Sequence, residues 1–126
     1  MKLDLSPIVV GLDGNALKRS AVNKEFGDEP LTLAFALAHV LSVAVEDVGV
    51  LEQAAANPAN PDADSVRARA FAMKVERGNL ALRLAAVVGD AATAVELTPE
   101  ELVLLKTVAG PRLMPIVLAQ VNRVIG

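Results

Sequence analysis

Apolar residues recur at alternating spacings of three and four through the middle of the chain. The recurring positions are Val66, Ala70, Met73, Leu80, Leu84 and Val87. A helix brings residues three and four apart onto one face, so the spacing predicts one long helix from Asp64 or Ser65 to about residue 88, ended by residues 89–92. Such a seam packs at a shallow angle against another helix. Arg77 occupies its remaining position, where it either pairs with a buried acid or marks a point at which the seam meets solvent.

The closing part of the chain predicts two more helices. Thr98 followed by Glu101 is a capping box, and Pro99 occupies the first helical position, where its missing N–H costs nothing. A Gly-Pro pair at 110–111 separates this helix from the last one, which has Pro115 in its first turn. The apolar positions that we expect to pack are Leu102, Leu105, Val108, Ala109, Leu113, Ile116, Val117, Val121 and Val124.

Two further helices are predicted before the long one. We expect Thr32 to cap a helix that is apolar almost all round, as is typical of a helix buried on most sides. Glu46 and Asp47 begin a second helix over 46–55, because acids in a first turn favour the positive end of the helix dipole. Residues 57–63, with two prolines and two asparagines, form an exposed connection.

The first residues predict a β-hairpin. Asp13-Gly14 lies between short apolar stretches, which is a strong hairpin signal. A two-residue turn there places Val10 across from Leu17. At 126 residues the chain is one domain by length. The predicted fold over 1–126 is therefore mainly α, with a small N-terminal β-hairpin at 1–22, helical regions at 31–56 and 64–126, and four or five helices packed as a bundle.

Composition excludes several classes of partner. Hydrophobic residues make up 53% of the chain and aromatic residues 2%, so the core must consist of small aliphatic side chains and no stacking platform for bases is available. A net charge of −3 removes the broad basic field that non-specific nucleic-acid binding requires. The absence of cysteine excludes disulfides and thiolate sites and favours a cytosolic protein. We expect no nucleic-acid partner.

The chain contains few groups that could perform chemistry. His39 is the only histidine, so one chain cannot build a two-histidine metal site, and we expect a core or interface histidine there. Paired acids coincide with predicted helix starts, which the helix dipole explains. The sequence predicts no catalytic residue, no cofactor, no metal and no enzymatic activity.

Arginines are the candidate contact residues. Arg67, Arg69 and Arg77 belong to a basic strip with Lys74 and Arg83 that we interpret as a solvated helix face, and Arg112 and Arg123 are placed on the predicted last helix. Across a symmetric interface such side chains could contact an anionic ligand. The candidate interface or ligand contacts are Arg67, Arg69, Arg77, Arg112 and Arg123.

A membrane partner is not expected. The longest stretch free of acidic and basic residues runs from Pro30 to Val45, which is shorter than the roughly 20 residues of a spanning helix. Residues 1–5 carry an acid early and lack the pattern of a signal peptide. We expect a cytoplasmic protein.

The order of motifs resembles that of small helical proteins encoded by tailed phages and prophages, most of them without an assigned activity. The resemblance rests on the Asp-Gly turn at 13–14, the Leu-Thr-Leu entry to a helix at 31–33, the basic helix with a Leu-Ala step over 76–81, and the closing pattern over 95–121. It implies a phage or prophage setting, a place in the host-cell cytoplasm or in association with a virion, and a role in assembly or in host interaction. It carries over no catalytic residue.

Surplus apolar surface favours a protein that binds other proteins. The first helix is apolar all round, and Met114, Leu118 and Ile125 lie off the main stripe of the last helix, which is more apolar surface than one small core covers. We expect a non-enzymatic interaction or assembly protein that acts through apolar helix faces, as a homo-oligomer or on a phage or host protein. The alternative is an anti-defence factor that binds a small anionic ligand or blocks a host protein.

Overall fold

The computed structural model describes residues 2–89 and 94–126 and is mainly helical. Within these ranges it contains five α-helices, two short strands and two 3-10 turns. In chain order the helices and strands are β1 (Lys2–Asp4), α1 (Leu33–Val43), α2 (Glu46–Ala56), α3 (Ala63–Gly89), β2 (Ala94–Glu96), α4 (Pro99–Ala109) and α5 (Pro115–Ile125). The predicted fold class and all five predicted helices are confirmed.

The long helix α3 is the centre of the packing. Both α1 and α2 pack along it, and α4 packs against α1. Ala70, Leu80 and Leu84 of the predicted seam are buried, and Val66 and Met73 are half-buried. The seam is therefore confirmed as far as Leu84. The side chain of Val87 and the predicted helix end at 90–92 lie outside the described residues.

Helix α1 is covered almost completely within one chain. Thr32 caps it, accepting a hydrogen bond from the backbone N–H of Phe35 at 3.1 Å. The α1 residues that are buried are Leu33, Ala34, Ala36, Leu37, Ala38, Val40 and Leu41. Its neighbours in the core come from α3, α4, α5 and the segment before α1. The expectation that α1 supplies surplus apolar surface for a partner is wrong, because most of its apolar side chains are buried within the chain.

The closing helices begin as predicted. The Thr98 hydroxyl accepts from the backbone N–H of Glu101 at 3.1 Å, and the Glu101 carboxylate accepts from the backbone N–H of Thr98 at 3.0 Å. Pro115 stands in the first turn of α5. Val117, Val121 and Ile125 of α5 are buried in the core. Placing Ile125 off the packed stripe was therefore wrong.

The N-terminal reversal forms with a different register. The chain turns at residues 12–14, with Gly14 at φ +80° and the Gly11 N–H donating to the Asn15 carbonyl at 2.9 Å. Val10 forms an antiparallel bridge with Ala16. A three-residue loop that ends in a left-handed glycine is a common hairpin connection, and its extra residue explains why Val10 does not face Leu17.

The regular two-stranded pair joins distant parts of the chain. Strand β1 runs antiparallel to β2, with Leu3 opposite Val95. Beyond β1, Leu5 and Val9 are fully buried in the core. The segment before α1 is thus held both by β2 and by the helices.

Within residues 2–89 and 94–126, one apolar segment meets the criteria for a membrane span. By length and composition alone, the segment Leu33–Ala56 could cross a membrane, but half of its most apolar window is buried inside the fold. That segment comprises α1 and α2, which are separate helices.

Candidate interaction surface

Arg77 is buried and paired with an acid. Its guanidinium donates to both carboxylate oxygens of Asp47, at 2.7 and 2.5 Å, and to the carbonyl oxygen of Ala44 at 2.7 Å. Arg77 is 7% exposed, whereas the Asp47 side chain is 54% exposed. This hydrogen-bonded partner lowers the pKa of Asp47 to about 2. Of the two interpretations of Arg77, pairing with an acid is correct.

Two more of the candidate arginines are used within the chain. Arg67 on α3 donates to the Asp64 carboxylate at 2.9 Å and to the Ala55 carbonyl at 3.2 Å. Arg112 pairs with Glu46 and thereby lowers the pKa of that carboxyl. Arg112 does not lie on the last helix as predicted but in the connection between α4 and α5.

The basic strip of α3 is largely neutralised. Lys74 pairs with Glu52 of α2 at 2.9 Å, and Arg83 pairs with Glu101 of α4. Arg69 and Arg123 are exposed, with no hydrogen bond or ion pair recorded for either among the described residues. Four of the five residues of the strip are exposed, as interpreted, and Arg77 alone is buried. Lys74 and Arg83 in addition join α3 to its neighbours through their ion pairs. The five candidate arginines are spread over α3, the α4–α5 connection and α5.

The single histidine lies in an apolar groove. His39 is half-buried, and its ring contacts the Phe26 ring edge-on at a centroid distance of 5.2 Å. The groove between α1 and α3 has a volume of about 410 Å³. It is lined by Phe26, Phe35, Ala38, His39, Ser42, Gly78, Ala81, Leu82 and Ala85. No carboxylate or second histidine lines it, and the described residues contain no group of three potential metal ligands.

Three of the exposed large apolar side chains lie on the outer face of α3. Phe71 is 68% exposed, Val75 44% and Leu82 72%. Together with Gly78 they are spaced four, three and four residues apart, so they form one stripe on the side of the helix away from its buried seam. We call these four residues the outer stripe. Gly78 leaves open space in it, since a β-carbon there would meet no atom within 4 Å.

A second apolar groove lies between α4 and α5. Its volume is about 470 Å³, and its lining includes Ala109, Leu118 and Ile125, with Lys106 also contributing. Nearby, Met114 at the start of α5 is 48% exposed. Leu118 and Met114 thus keep part of the exposure that the sequence predicted for them.

The outer stripe was not predicted from the sequence, although a signal for it is present. Its spacing repeats the periodicity of the buried seam, displaced around the helix. When a helix has two apolar faces, its sequence does not show which of them the neighbouring helices cover. The packing of α1 and α2 on the seam decides this.

Comparisons with known proteins identify no relative. No family model, no curated protein and no solved structure matches the chain.

Proposed function

We propose that this chain is a non-enzymatic interaction or assembly protein of the phage or prophage type, and that it acts through an apolar helix face. The observation that carries the proposal is the outer stripe of α3. Isolated exposed apolar residues are normal on a protein surface. Three large side chains aligned on one helix, each 44 to 72% exposed, favour a contact surface.

The free energy available from this stripe is of the right size for association. Fully burying one large aliphatic or aromatic side chain contributes about 1.5–3 kcal/mol. Weighted by the exposed fractions of Phe71, Val75 and Leu82, the stripe would contribute about 3–6 kcal/mol per copy if it were covered. That gain is doubled if the same stripe is buried on both sides of an interface.

Binding of a small anionic ligand, the alternative, has less support. Arg67, Arg77 and Arg112 already donate to carboxylates or carbonyl oxygens of their own chain. A ligand would have to compete with these partners. The two remaining arginines, Arg69 and Arg123, lie on different helices, α3 and α5, and do not form a cluster around one ligand position. Contact with a host protein through the outer stripe is compatible with the proposal.

Light scattering over a concentration series tests whether the chain associates. We expect a mass above that of one 13.1 kDa chain at micromolar concentration, falling towards it on dilution. A constant mass of one chain up to millimolar concentration would overturn the homo-oligomer.

The biological setting needs a separate test, because the phage assignment rests on the order of motifs. The genes beside this one distinguish the roles: head and tail genes would support assembly, and early genes would support an action on the host. Neighbours without any phage gene would contradict the setting while leaving the interaction surface intact.

A further inference from the structure

The outer stripe has a symmetry of its own. Its spacing of four, three and four is the same in both directions, so an antiparallel copy of α3 can face it with Phe71 against Leu82 and Val75 against Gly78. A two-fold axis generates each of these contacts twice. Val75 then faces a small position, since Gly78 leaves room that Val75 can fill.

We propose that the partner of the outer stripe is a second copy of this chain, packed antiparallel along α3 with the two-fold axis midway between Val75 and Gly78. This inference rests on the proposed function and names the partner. Each Phe71 inserts into the end of the other copy's groove between α1 and α3, beside Leu82 and Ala85.

The direction of the side chains supports this insertion. Helical side chains tilt towards the N-terminus of their own helix. In an antiparallel pair that tilt carries the Phe71 ring from the level of the partner's Leu82 towards the partner's Ala85. This part of the groove is lined by Ala81, Leu82 and Ala85, and the whole groove has a volume of about 410 Å³.

Charge does not oppose the approach. The stripe itself contains no ionisable residue, and Ala68, Ala72 and Ala86 keep one of its flanks small. On the other flank Lys74 is paired with Glu52 at 2.9 Å. Each lysine is therefore already compensated within its own chain.

Substitutions on the stripe test the interface by sedimentation equilibrium. We expect Phe71→Ser and Leu82→Ser each to raise the dissociation constant about tenfold or more. The control is Leu12→Ser, because Leu12 is 98% exposed and distant from α3 in sequence; its dissociation constant should stay within about twofold of the wild type.

Gly78→Leu separates association from folding. Within one chain a β-carbon at this position meets no atom within 4 Å, and leucine favours a helix more than glycine does. We therefore expect a variant that unfolds at a higher denaturant concentration than the wild type when dilute, yet associates more weakly because the gap for Val75 is filled. Unchanged association of this variant would overturn the proposed packing.

Spin labels on single cysteines test the antiparallel direction, since the natural chain has no cysteine. Labels at position 79 should lie at levels about 8 Å apart along the helix axes, and labels at position 68 about 26 Å apart. A parallel pair would give equally short distances at both positions. If the wild type associates and the stripe variants have the same dissociation constant, this interface is refuted but the proposed association stands. If the wild type stays monomeric, both are refuted.

Discussion

The ion pair between the buried Arg77 and the half-exposed Asp47 predicts that the loss of two neighbouring acids will affect stability unequally. Asp47→Asn removes the negative charge and leaves the guanidinium of Arg77, which is 7% exposed, beside a neutral amide. Breaking a buried pair from one side is costly because the remaining charge stays desolvated. Glu46→Gln is the matched control in the same helical turn, and it affects a carboxylate that is 70% exposed.

The loss of stability expected for Asp47→Asn follows from the contacts and the exposure of the Asp47 side chain. A carboxyl whose pKa falls from 3.8 to about 2 on folding contributes at most about 2.4 kcal/mol at neutral pH. The Asp47 side chain is half-exposed, so solvent screening reduces this value. The retained bond from Arg77 to the Ala44 carbonyl limits the loss further. We expect Asp47→Asn to lower the free energy of unfolding by about 1–2 kcal/mol.

Urea denaturation followed by far-ultraviolet circular dichroism measures this difference at a protein concentration low enough to suppress association. Glu46→Gln should cost less than half as much as Asp47→Asn. Adding Arg77→Met to the Asp47→Asn variant should restore part of the stability, because it removes the unpaired cation while keeping most of the side-chain stem. Equal losses for the two acids, or a loss below about 0.5 kcal/mol for Asp47→Asn, would refute this account of the pair.

Three further predictions concern stability. Lowering the pH from 4 to 2 should destabilise the wild type more than the Asp47→Asn variant. The folded pKa of Asp47 lies below its ordinary value, so its contribution to stability is lost as the carboxylate is protonated. Parallel stability profiles of the two proteins would contradict this. Leu80→Ala should cost about 2–5 kcal/mol in urea denaturation, while Leu12→Ala should cost far less, and a loss below about 0.5 kcal/mol at Leu80 would contradict its burial. Thr98→Ala should cost about 1 kcal/mol and leave self-association unchanged, whereas Thr98→Ser should retain the cap; a variant that loses association at unchanged stability would make this helix start part of an interface.

The parts of the fold that were predictable are those encoded locally. The capping box at Thr98 needs only residues three apart, and the seam through Leu80 needs only a periodicity within one helix. The pairing of β1 with β2 was not predictable, because three-residue strands carry no periodic signal and their partners lie far apart in the chain.

The candidate site was harder to predict for a related reason. An arginine such as Arg112 has the same appearance in sequence whether it faces a ligand or a carboxylate 66 residues away. Apolar residues on α1 and on the outer face of α3 are equally ambiguous, since burial depends on which neighbours arrive. Tertiary packing decided that α1 is covered and that Phe71 is not.

The pairing of β1 with β2 also constrains how the chain folds while it is being made. Residues 2–4 leave the ribosome about 90 residues before their partners, which at about 5–20 residues per second is a delay of about 5–18 seconds. During that interval the segment that contains Leu5 and Val9, both fully buried in the finished fold, lacks β2 and α5, which contact β1. The nascent chain therefore exposes a short apolar segment that a chaperone can bind, and the last helices to be synthesised complete its burial.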